Sequence, residues 1–115
     1  SDARPSIEAA DLVLIPMAAS HVDFWATGAI VDIAKQANKK ILIQINRANQ
    51  RSKLISKTND FIKSLKLSST KTIIGHRQIY AASMGEGKTA VEKQRKSKAV
   101  DEIKNLSNQI LLEIK

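Results

Sequence analysis

With 115 residues the chain is long enough for one domain with a modest core, and having no cysteine and only two Phe, one Trp and one Tyr it must build that core from Ile, Leu, Val and Ala without disulfides or thiolate metal sites. The net charge of +8 is concentrated: residues 39–98 carry fifteen basic groups against three acidic ones, residues 1–38 two against five, and residues 99–115 two against three. No apolar run approaches the roughly 20 residues of a spanning helix and no basic-then-apolar leader opens the chain, so the expectation is a soluble cytoplasmic protein with no membrane partner. Ser1–Ala10 reads as a connector without a strand of its own. "DLVLIPM" (Asp11–Met17) is a continuous apolar run closed by Pro16, the pattern of a strand buried on both faces. Ser20 and Asp23 have capping-box spacing ahead of a helix expected to bury Trp25, Ala29, Ile33 and Ala37. "ILIQI" (Ile41–Ile45) repeats the strand pattern, and Leu54, Ile55, Thr58, Phe61, Ile62 and Leu65 recur at three and four, which predicts a helix over 51–66. "KTIIG" (Lys71–Gly75) is a third, weaker strand, "RQIYAASM" a short helix, and Ala99, Ile103, Leu106, Ile110 and Ile114 make one apolar stripe on a helix from Ser97 to the end.

Strand and helix in alternation imply an α/β fold with a parallel sheet and right-handed crossovers. About three strands make a thin sheet, and parallel sheets are covered on both faces and bordered by further strands. The expectation is therefore an incomplete doubly wound sheet, residues 11–115 forming the C-terminal half of a larger nucleotide-binding domain whose other half lies N-terminal.

"ASMGEGKTAVE" (Ala82–Glu92) ends like a phosphate-binding P-loop, but the comparison fails on three counts. The first Gly of the motif falls on Ala82, a helix rather than a strand runs in, and the segment that leaves is too polar for a buried helix. The expected structure is a turn after a helix, stopped by Gly85 and Gly87.

Three stretches together resemble a known family. "AADLVLIPMAASHVDFWA", "ILIQINRAN" and "TIIGHRQIYAASMGEGKTAVEKQRKSKAVDEI" are similar, in order and spacing, to segments of the ParA/MinD-type partition ATPases, a branch of the P-loop NTPases, from about Glu8 to the C-terminus. The resemblance implies two subunits closing over two ATP molecules with magnesium, cooperative binding of non-specific DNA, slow hydrolysis stimulated by a ParB-like partner, and a nucleoid-associated homodimer serving plasmid or chromosome partition. Nothing in this chain matches the family's two-lysine phosphate loop, so the chain is not expected to hydrolyse ATP alone. Asp2 is placed near the family's second acidic motif, although it stands only nine residues before Asp11, and Ala19 stands where the family often has Pro.

Ligands of a parallel sheet collect at the carboxyl ends of its strands. Asn46 and Arg47 follow the second strand; Gly75, His76 and Arg77 follow the third. Asn46 carries both a donor and an acceptor for an adenine edge, but by spacing alone it reads rather as a turn residue tolerating the left-handed conformation. The resemblance assigns the adenine side of the nucleotide site to Asn46, Gly75 and His76. For DNA, Arg47, Arg51, Lys53 and Lys57 fall in a turn and the start of a helix, and Arg77, Lys93, Arg95, Lys96 and Lys98 lie further on. So localised a basic excess marks an anionic partner, and the few aromatics favour phosphate-backbone contact over base reading. His21 and His76 have no partner at metal spacing, no catalytic triad or carboxylate pair can be assembled, and Asp23 is a cap rather than a base. Two other readings stay open: a small basic DNA-binding module without a nucleotide role, and a protein-interaction domain docking through a free sheet edge.

Overall fold

A computed structural model describes residues 3–18, 20–49 and 52–114, all but the side chains of His21 and Val22. Asp2, Ala19 and Arg51, singled out above, therefore lie outside the described residues. Helix α1 (Arg4–Ala9) leads into β1 (Val13–Ala18), α2 (His21–Gln36), β2 (Ile41–Asn46), α3 (Leu54–Ser64), β3 (Ser68–Ser69), α4 (Gln78–Gly85), α5 (Ala90–Lys93) and α6 (Lys98–Glu113). The three strands form one sheet in the order β1-β2-β3, every pair parallel, with Val13 opposite Ile41 and Ala18 opposite Asn46. The fold is thus α/β with a three-stranded parallel sheet flanked by helices.

Ile15 and Met17 of β1 and Ile41, Ile43 and Ile45 of β2 alternate onto one face, where they meet Val31 and Ala34 of α2 and Ile62 of α3 in a single buried cluster. Phe24 and Phe61 stack at 4.8 Å between ring centres, and Lys35 Nζ donates to the Leu65 carbonyl at 2.7 Å, so α2 and α3 lie side by side. The stretch expected to be a bare connector contains α1, whose Ile7 joins the same cluster.

Two expectations need correction. The face of α2 is turned: Trp25 is 87% exposed and Ala29 is exposed, while Thr27, Val31 and Ala34 are buried. Positions 25 and 27 sit about 200° apart on a helix, and because α2 is apolar on both sides its periodicity cannot say which side meets the sheet. The third strand also differs. Its regular pairing is at Ser68–Ser69, not over Lys71–Gly75. Thr70 N–H donates to Ile43 O at 2.8 Å and Ile74 N–H to Ile45 O at 3.0 Å, so four residues on this side span two on β2 and the chain bulges between. Gln44, buried in the middle of the apolar β2, supports the bulge: its Nε2 donates to Thr72 O at 3.0 Å and its Oε1 accepts from the Thr70 hydroxyl at 2.6 Å. The ladder resumes beyond it, where Ala48 N–H donates to Ile74 O and His76 N–H to Ala48 O.

β1 is an edge strand. Val13 N–H donates to Lys40 O, so alternate amides, those of Leu14 and Ala18, face the free edge, with Pro16 between them offering no N–H at all. The Ser20 hydroxyl accepts Asp23 N–H and caps α2 as expected, whereas the Asp23 carboxylate takes the amide of Ala18 at 2.7 Å rather than that of Ser20, tying the end of β1 to the first turn of α2. Helix α6 starts at the Ser97 cap and runs along the bulged segment, its Gln109 accepting Lys71 N–H at 2.9 Å. The stripe expected on α6 is graded: Ala99 is buried, Ile103, Leu106 and Ile110 are half-buried, and Ile114 is exposed.

Candidate nucleotide and polyanion site

The bulge determines where the return strand meets the end of β2. Arg47 takes a left-handed turn, φ 51°, which carries the chain from Asn46 to Ala48, and Ala48 then pairs with Gly75. The positive φ thus belongs to Arg47, one residue after the Asn to which turn chemistry would assign it. Asn46, Arg47, Gly75, His76, Arg77 and Tyr80 come together around one cleft of about 300 Å³. Asn46 and Gly75, far apart in sequence, are brought together here with His76, and the Asn46 amide makes no hydrogen bond among the described residues. Both hydrogen-bonding ends of that amide are available to a ligand.

The far wall of the cleft is tied to α6. Arg77 Nε donates to Glu102 Oε1 at 2.7 Å and Nη2 to Oε2 at 3.2 Å, a two-pronged pair, and Gly75 N–H points at the same carboxylate, 3.3 Å from Oε2. The hydrogen bond to Glu102 is the main cause that raises the Arg77 pKa above its ordinary value. Burial, with the nearby Glu102 charge, raises that of Tyr80. A methyl group on Gly75 would stand 3.1 Å from Arg77 Nε, so the glycine permits the guanidinium to lie flat against the strand.

A second cleft of about 440 Å³ shares His76 and Arg77 and extends to Gln94 and Ser97 in the turn before α6 and to Lys98 at its start. Of the residues expected to touch DNA, Arg47, Lys53 and Lys57 are exposed at the end of β2 and the start of α3, and Arg95 and Lys96 in that turn and Lys98 at the start of α6 are exposed. Two others are engaged: Arg77 by Glu102, and Lys93 by Glu86 at 2.7 Å. Lys98 and Arg77 share the second cleft, whereas Lys53 and Lys57 line neither cleft.

GEGKT folds as a helix stop joined to a helix start. Gly87 has φ 70° and donates to Met84 O, and Lys88 N–H donates to Ser83 O at 2.8 Å, which closes α4. Thr89 then caps α5: its hydroxyl accepts Glu92 N–H and its own N–H donates to Glu92 Oε1 at 2.9 Å. The backbone and hydroxyl hydrogen bonds of Thr89 hold the Glu92 carboxyl below its ordinary pKa.

Glu102 and Tyr80 escaped sequence reasoning. The usable signal for Glu102 was an acid three residues after Ala99, on the inner side of the last helix, facing a segment with an arginine. Among the described residues no group of His, Asp or Glu could hold a metal ion, and no helix is long and apolar enough to cross a membrane. Neither the protein-family models nor the curated proteins give a match to this chain.

Proposed function

We propose that this chain is the C-terminal portion of a ParA-like ATPase for plasmid or chromosome partitioning, within an incomplete P-loop NTPase-like domain, contributing the adenine side of the nucleotide site, dimerisation and a grip on non-specific DNA. One observation carries the reading: Asn46, Gly75 and His76 line a single cleft at the carboxyl end of β2. A cleft of about 300 Å³ is at the small end of ligand sites, suited to a base rather than a whole triphosphate. The residues present fit adenine, since the free Asn46 amide pairs a donor and an acceptor with the base edge. They do not fit magnesium, for which the described residues offer no acidic cluster. When bound, ATP supplies the phosphoanhydride to be cleaved; this chain's own residues bind and orient the base and close one side of it against water.

The exposed Arg47, Lys53, Lys57, Arg95, Lys96 and Lys98 hold DNA through its phosphates, without reading bases. A homodimer, a ParB-like stimulating partner and a cytoplasmic, nucleoid-associated location belong to the same reading.

Titration of the 115-residue chain with a fluorescent adenine nucleotide tests it. Asn46→Ala should weaken binding about tenfold, the equivalent of one well-aligned hydrogen bond, and leave DNA affinity unchanged. Replacing Arg95, Lys96 and Lys98 together by Gln should lower the salt slope of DNA binding by up to about three and leave nucleotide affinity unchanged. DNA binding with no adenine binding would favour the basic-module reading.

A further inference from the structure

Glu102 is the one buried charged side chain among the described residues, 9% exposed. Burying a carboxylate is costly unless partners replace its water, and the partners of Glu102 stand on one wall of the base cleft. Arg77 meets both of its oxygens, at 2.7 and 3.2 Å, and the Gly75 amide points between them at 3.3 and 3.5 Å. Gly75 and Arg77 flank His76, so one carboxylate pins both ends of the three-residue wall to α6. The absence of a side chain at Gly75 is part of the same unit, since a Cβ there would reach 3.1 Å from two guanidinium nitrogens. Asn46 stands at the end of β2, where the bonds of Ile45 and Ala48 to Ile74 and His76 already set the spacing of the two segments, so what the Glu102 clamp adds is the tilt of the wall.

We infer that Glu102 is a positioning residue for base recognition: through Arg77 and the Gly75 amide it fixes the tilt of the 75–77 segment relative to Asn46, and so determines which purine the cleft accepts. The inference rests on the base-binding reading above. A carboxylate that only tethered α6 would affect stability and not selectivity. One that positions the wall must affect the ratio of affinities for two bases of the same size, because that ratio depends on where the wall's donors and acceptors stand.

The experiment compares mant-ADP and mant-GDP binding to the full chain and to Glu102→Gln and Arg77→Lys, with thermal unfolding of each. Gln keeps the size of Glu102 and loses the charge; Lys keeps the charge of Arg77 and loses its fork. The expected result is an adenine preference in the parent chain that falls about tenfold in both variants, the loss of roughly one aligned hydrogen bond, at temperatures where each is fully folded. If Glu102→Gln does not fold, Arg77→Lys decides. Preference retained in a folded variant, with only the unfolding temperature lowered, overturns the inference and leaves base binding intact. Equal affinity for the two nucleotides in the parent chain, or none, overturns the base-binding reading itself and the inference with it.

Discussion

Replacing Thr70 by Val tests whether the Gln44–Thr70 pair builds the bulge. Val has the same shape, so packing is preserved, but the hydroxyl that donates to Gln44 Oε1 at 2.6 Å is gone. Gln44 and Thr70 are both buried, at 3% and 6% exposure, so water cannot substitute for the lost donor. An acceptor left unsatisfied in that setting costs about 2 kcal/mol. Gln44→Leu alone removes the donor to Thr72 O and Ile45 O, but Thr70 can turn its hydroxyl to Thr72 O, already 2.7 Å away, and Ile45 O keeps the Ile74 amide. Its expected cost is likewise about 2 kcal/mol, lost hydrogen bonds partly offset by a more apolar side chain. In the double variant the Gln44 oxygen is gone, but Thr72 O has lost both of its side-chain donors, so the loss should be about 3 kcal/mol rather than the additive 4. Urea unfolding followed by far-ultraviolet circular dichroism measures all three, and each single change should lower the unfolding temperature by roughly 10 °C. Additivity within about 0.5 kcal/mol, or single effects smaller than that, would refute the claim that these two side chains act as a unit.

Lys88→Ala should leave nucleotide affinity within about twofold of the parent, because what the turn uses is the backbone of Lys88; a large loss would restore GEGKT as a phosphate site. Glu92 has a depressed folded-state pKa, so its contribution to the α5 cap is present above the ordinary carboxylate value of 4.5 and is lost as pH falls through the folded value. Carbon-detected titration should move Glu92 only part of the way back in Thr89→Ala, because the variant loses the hydroxyl but keeps the backbone N–H that donates to Glu92 Oε1, and an unchanged curve would remove the hydroxyl as a cause. The free edge of β1, with an exposed Trp25 on the neighbouring helix, predicts that the isolated chain self-associates on size exclusion at micromolar concentration, whereas a stable monomer would count against a sheet that continues beyond β1.

The features legible in the sequence were those fixed locally. Ser20 and Ser97 cap the helices expected of them, and β1 and β2 lie on their apolar runs, because a cap or a continuous strand needs only neighbours along the chain. The misreadings of α2 and of the third strand concern what stands opposite. KTIIG is apolar enough for a strand, yet the regular pairing falls on Ser68–Ser69, since Gln44 on β2 offers hydrogen bonds that draw the backbone out at Thr72. Trp25 was expected inside and lies outside because α2 has two apolar sides and the sheet contacts one. The cleft was half legible: strand ends identify Asn46 and Gly75, but the clamp by Glu102 depends on the packing of α6 against a segment some 25 residues away, which no spacing rule reaches.

GEGKT shows how the same residues can satisfy a motif in letters and fail it in hydrogen bonds. A phosphate loop works because its amides are unclaimed and converge on an anion. After α2, Asn38 N–H donates to Lys35 O and Lys39 N–H to Ala34 O; after α3, Lys66 N–H donates to Lys63 O and Leu67 N–H to Ile62 O. After α4, Gly87 N–H donates to Met84 O and Lys88 N–H to Ser83 O, the same two bonds in the same register. The residue that turns left-handed is Asn38 in the first case, Lys66 in the second and Gly87 in the third. The turn at Gly87 is therefore one of three equivalent helix stops, and Thr89 N–H beyond it is claimed by Glu92. With the amides of Gly87, Lys88 and Thr89 all donating within the chain, an anion there would have to break one helix end or the other. The phosphates of any nucleotide whose base enters the Asn46 cleft must accordingly be held by other groups than these.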